Sequence, residues 1–148
     1  MNAAEESRRA RGIARYADQF GISEPEVERA FLSTFGAEFA EEAFQATGGA
    51  AWNDGPITLR ERSLVVVAIL AAIGGVESRL TGHLRWALEH GATIEELRAT
   101  LLMVANYAGF ARASVALESL DALIAGQATG QSKGQSAGQL EEQRNCES

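Results

Sequence analysis

Cysteine is nearly absent from this chain. Of its 148 residues only Cys146 carries a thiol, which rules out a disulfide within the chain and any centre built on paired cysteines. Histidine is almost as scarce, with His83 and His90 alone. Seven residues apart, they stand two helical turns distant on a similar face, too far to share a metal readily, and no further ligands complete a zinc site. No metal is therefore expected. Neither a Ser-His-Asp order, nor a Walker loop, nor a dinucleotide fingerprint occurs. Long apolar runs are missing too. The longest, residues 64–73, extends through two glycines only to Val76, whereas a membrane span needs about twenty residues. It reads as a buried helix. Residues 1–19 hold arginines and acids but no apolar stretch, which does not fit a signal peptide, so the cytoplasm is the expected location. Positive charge is outnumbered, with 13 Lys and Arg against 20 Asp and Glu and a net charge of −7. A chain so charged repels phosphate on average, so neither nucleic acid nor an anionic membrane is an expected partner. A local basic pocket for a small anion remains allowed.

What is present suits one soluble helical domain. Apolar residues make up 46% of the chain, enough for one core, and charged residues 22%, close to the globular average. Helix starts are written plainly. Ser23-Glu24-Pro25-Glu26, Thr58-Leu59-Arg60-Glu61 and Thr93-Ile94-Glu95-Glu96 each place a hydroxyl three residues before a glutamate, the pattern of a capping box. Helices are predicted from Thr58 to the Gly74-Gly75 pair, over 77–90 with Gly91 closing it, from Thr93 through Tyr107 with a stop near Gly109, and over 111–125. Residues 4–48 read as short amphipathic helices. Within them Phe31, Phe35, Phe39 and Phe44 recur at spacings of four, four and five, one helical face broken near Gly36. That row reads as a packing face or subunit interface before it reads as a ligand site. Residues 48–56, rich in Gly and ending in Pro56, are predicted as a linking loop that carries Trp52. No stretch alternates with period two, so no sheet is expected and the fold class is all-α. Residues 1–125 form the domain. Residues 126–148, a Gly-Gln repeat with almost no apolar side chains, are expected to be a disordered tail, with Cys146 an inert thiol in it.

Few groups are left for chemistry. His83 lies inside a predicted helix beside Leu80 and Ala87 and borders its apolar stripe. Taken alone it reads first as a hydrogen-bonded histidine at a helix interface. The adjacent Gly82 costs helix stability of about 1 kcal/mol and points to a close backbone approach. His90, just before Gly91, reads as a helix-end residue favoured by the dipole, with no chemistry assigned. Among the arginines, Arg62 leads into the apolar run and is the best candidate to recognise a carboxylate with its fork of donors.

Several segments together resemble the carboxymuconolactone decarboxylase family. They are Trp52, Leu59-Arg60-Glu61-Arg62-Ser63-Leu64-Val65, Gly82-His83-Leu84-Arg85-Trp86-Ala87-Leu88-Glu89-His90-Gly91-Ala92-Thr93-Ile94-Glu95-Glu96-Leu97, and Tyr107-Ala108-Gly109. The likeness covers about residues 31–123. It implies an alkylhydroperoxidase D-like bundle of about six or seven helices, assembled as a homotrimer or homohexamer and needing no cofactor. It also implies a lyase that removes CO2 from a small carboxylated lactone. On this resemblance His83 becomes a catalytic acid/base residue, Arg62 and Arg79 hold the anionic substrate, and Trp52 and Tyr107 wall the pocket. Redox members of the fold carry a Cys-x-x-Cys-x-x-x-His motif. Counting back from His83 puts Val76 and Arg79 in the cysteine positions, so thiol peroxidase chemistry through that motif is excluded. Relatives usually carry glutamate at the Arg79 position and proline where Phe110-Ala111 stands. The alternative is an oligomeric binding or scaffold protein of the same fold without catalysis.

Overall fold

The computed structural model describes the backbone of residues 2–145 and the side chains of residues 2–127. Among the described residues there is no strand, as the sequence predicts. The order is α1 (Ala3–Phe20), α2 (Glu24–Phe35), α3 (Ala37–Glu42), a π-helix (Ala43–Ala51), α4 (Leu59–Ile73), α5 (Glu77–Glu89), α6 (Ile94–Ala108) and α7 (Phe110–Asn145). The expected tail, residues 126–148, falls almost wholly outside the described side chains, and Cys146 lies beyond the last described residue. The chain divides into two compact units, Met1–Arg62 and Ser63–Ser148.

In the first unit Ser23 and Glu26 close their capping box, with the Glu26 carboxylate accepting from the Ser23 amide at 2.9 Å. Asn2 and Glu5 form another at the start of α1, one that the sequence reading missed. Gly36, at φ 85°, ends α2 and begins α3, where the phenylalanine row was expected to break. The row itself splits. Phe44 is fully buried with Ile13, Val27 and Ala40, and Phe31 packs against them, whereas Phe35 and Phe39 remain exposed. Tyr16 fills the space between the rings, 4.7 Å from Phe31. Arg9 bridges Glu28 and Glu41 at 2.8 Å each, tying α1 to α2 and α3.

The linking loop begins later than predicted. Gly48 and Gly49 are not in a turn but inside the π-helix, whose closing bond runs from the Trp52 amide to the Thr47 carbonyl five residues back. Their task is close packing. A Cβ on Gly48 would stand 2.8 Å from the Gly12 carbonyl oxygen, and one on Gly49 2.7 Å from that of Arg8. Gly12, Gly48 and Gly49 thus let two helix backbones touch where any side chain would hold them apart.

In the second unit α4 to α7 supply one continuous core. Val67 and Ala71 come from α4, Leu80, Leu84 and Ala87 from α5, Leu97 and Leu101 from α6, and Ala113, Ala116 and Leu120 from α7. Side chains three or four apart on each helix face inward, which is the amphipathic pattern that the sequence displays. The Thr93–Glu96 capping box opens α6 as predicted. Gly91, at φ 90°, takes the left-handed position that ends α5.

Candidate functional site

The second unit carries His83. It sits in the middle of α5, half-buried, with Leu80, Leu84 and Ala87 of the same helix directed into the core. Its ring stands perpendicular to that of Trp86, with centroids 4.7 Å apart and 89° between planes. Burial, the largest cause, lowers its pKa from the usual 6.5 to about 4, and the positive charges of Arg79 and His90 push the same way. The imidazole is therefore neutral at neutral pH. Arg79 is one turn earlier on the same face and exposed to solvent, so its charge is available to an incoming anion. At the neighbouring Gly82, among the described residues nothing comes within 4 Å of where a Cβ would stand. The close backbone approach expected at Gly82 is thus not there.

The Ser63–His90 pair was not foreseen. Ser63 is fully buried in α4, and His90 is the residue that caps α5. The Ser63 Oγ and His90 Nδ1 lie 2.7 Å apart, in hydrogen-bond contact. In the sequence Ser63 stands out only within the Leu59–Val65 segment of the resemblance, and no rule of spacing links residues 63 and 90. Tyr107, near the end of α6, is 85% exposed, and Phe110, which opens α7, is 70% exposed. Leu102 and Met103 on α6 are exposed as well.

Arg62 and Trp52 belong to the first unit. Arg62 is buried, as its place before the apolar run suggested, with 7% of its surface exposed. Its guanidinium is engaged by main-chain carbonyls. The Nε donates to the Ile57 oxygen at 3.0 Å, Nη1 to that of Ala51, and Nη2 to those of Asp54 at 2.6 Å and Gly55 at 3.5 Å. A side chain expected to hold a substrate anion instead organises the loop that precedes α4. That loop places carbonyl oxygens at 51, 54, 55 and 57 around one point, and a planar fork of donors satisfies them together. Trp52 is buried at 6% exposure. Among the described residues no cluster of three or more His, Cys, Asp or Glu forms a metal site, and no helix is long and apolar enough to cross a membrane.

The sequence pattern of the carboxymuconolactone decarboxylase family matches residues 37–122. A 4-carboxymuconolactone decarboxylase from Acinetobacter baylyi is 31% identical over 98 residues, which span 65% of this chain and 72% of that protein. The family match takes in every residue named above at the candidate site, and Ser63 and His90 with them.

Proposed function

The chain belongs to the carboxymuconolactone decarboxylase family, and we propose that it is itself a lyase of the decarboxylase type. On this reading it works without a cofactor on a small carboxylated or lactone-like substrate. The observation that carries the proposal is His83, half-buried and neutral, with the exposed cation of Arg79 one turn before it. In such a reaction the bond to a carboxylate breaks and CO2 departs. The electron pair passes into the conjugated lactone carbonyl, and a proton is added to a ring carbon. Arg79 holds the carboxylated substrate by charge-assisted hydrogen bonds. His83 is the acid/base group, and it rests without a proton. A carboxylate brought in beside Arg79 cancels part of the field that keeps the proton off, so filling the site favours protonation of the ring.

Arg62 fixes the loop that ends at α4 within its own unit, and its role on this reading is structural. Tyr107, exposed on the same unit as His83, acts as a pocket wall on this reading. Leu102, Met103, Tyr107 and Phe110 form exposed apolar surface of a kind that assembly covers, which supports association of copies; the form proposed is a homotrimer or homohexamer, in the cytoplasm. The acidic balance of the chain supports a small anionic substrate held locally and gives no support to nucleic acid or membrane partners. The test is CO2 release from γ-carboxymuconolactone and related lactone acids. Turnover by the wild type that disappears in His83→Ala is the expected result. A folded wild type that releases no CO2 favours the non-catalytic binding reading.

A further inference from the structure

Loss of CO2 leaves an electron pair on the substrate that must take up a proton, and an acid group set apart from the departing carboxylate can supply it. His90 caps α5, the helix of His83, and the positive field it contributes is felt at His83. Its ring is held from another element: the Ser63 Oγ on α4 lies 2.7 Å from His90 Nδ1, and Ser63 is fully buried. A serine hydroxyl both donates and accepts. Turned to accept from Nδ1–H, it holds the ring equally well in the neutral and the protonated state. The bond then survives protonation, and the proton is gained and lost at Nε2 alone. His90 also stands at the C-terminal end of α5, where the helix dipole favours a cation.

We propose that His90 is a second acid/base residue of this site and that Ser63 is its positioning residue. The inference rests on the decarboxylase reading above. The two imidazoles, seven residues and about 10 Å of helix axis apart, divide the work. His83 beside Arg79 attends the carboxylate, and His90 delivers the proton. As the carbon–carboxylate bond breaks, its electron pair enters the conjugated carbonyl system and CO2 leaves. The Nε2–H bond of the His90 imidazolium breaks as the new C–H bond forms. Neutral His90 then regains a proton from solvent.

The experiment compares full-length wild type with His90→Gln and Ser63→Ala, by CO2 release from γ-carboxymuconolactone and by 15N NMR of the His90 ring. His90→Gln should lower kcat about 100-fold, the lower range for a general acid, while KM stays within about threefold. Ser63→Ala should lower kcat about tenfold and turn the single fixed tautomer of His90 into a mixture, with helical circular dichroism unchanged. Wild-type kcat in His90→Gln overturns the acid role. Unchanged His90 15N signals in Ser63→Ala overturn the positioning role. If Ser63→Ala does not fold, the slow exchange of a hydrogen-bonded Nδ1 proton in the wild type decides that point instead. A wild type without turnover refutes the decarboxylase reading and the acid role of His90 with it, and the 15N spectra still decide whether Ser63 fixes the ring.

Discussion

Replacing Arg62 with lysine keeps the charge and removes the fork. The guanidinium reaches carbonyls at Ile57, Ala51, Asp54 and Gly55 from three nitrogens. One ammonium on a flexible stem satisfies one or two of them. The variant therefore loses about two hydrogen bonds from a charged donor, each worth about 1.5–3 kcal/mol. Residues 51, 54, 55 and 57 are themselves exposed, so water can reach some of the abandoned oxygens, and the lower end of the range applies. The expected loss is about 3 kcal/mol. For a chain of this size that corresponds to a fall in Tm of roughly 6–12 °C. Thermal unfolding followed by circular dichroism measures it, together with KM for whichever lactone acid the protein turns over. The expected outcome is a clear drop in Tm with KM changed less than about threefold. An unaltered Tm with a strongly raised KM would refute the reasoning and return Arg62 to the role of anion holder.

His83 gives a prediction in pH. Its folded pKa is lowered to about 4, so the unfolded chain takes up the proton first as pH falls. This contribution to stability is complete above pH 6.5, is lost between about 6.5 and about 4, and changes no further below. Arg79→Gln should raise the NMR titration midpoint of His83 while leaving it below 6.5, because burial, the larger cause, remains; an unmoved midpoint would remove Arg79 from the account. Two glycines should respond in opposite senses. Gly49→Ala sets a methyl 2.7 Å from main-chain oxygens of Arg8 and Phe44 and should destabilise by about 1–3 kcal/mol or more. Gly82→Ala meets nothing within 4 Å among the described residues and should stabilise α5 by up to about 1 kcal/mol in urea titrations. Equal effects at the two positions would contradict the packing described.

The helix frame was legible because its signals are local. A hydroxyl three residues before a glutamate marks the start of α2, α4 and α6, and both side chains make the reciprocal bonds that the pattern promises. The all-α class followed from the same periodicity. What escaped was set by contacts distant in sequence. Gly48-Gly49 has the composition of a turn, and only the presence of Gly12 opposite makes it a close-packed helix. Arg62 has the chemistry of an anion holder, and only the path of residues 51–57 shows that its donors are already engaged. His83 was legible as a candidate, yet its neutral state depends on burial that no spacing reveals. The partnership of Ser63 with His90 joins two helices across 27 positions, beyond the reach of any local motif.

Decarboxylation dependent on His83 is the central claim, and CO2 release from γ-carboxymuconolactone by wild type and His83→Ala, assayed side by side at neutral pH, tests it most directly. The account predicts steady CO2 evolution by the wild type and its loss in a variant that remains folded. Equal rates in the two proteins, or no release by a folded wild type, would contradict it.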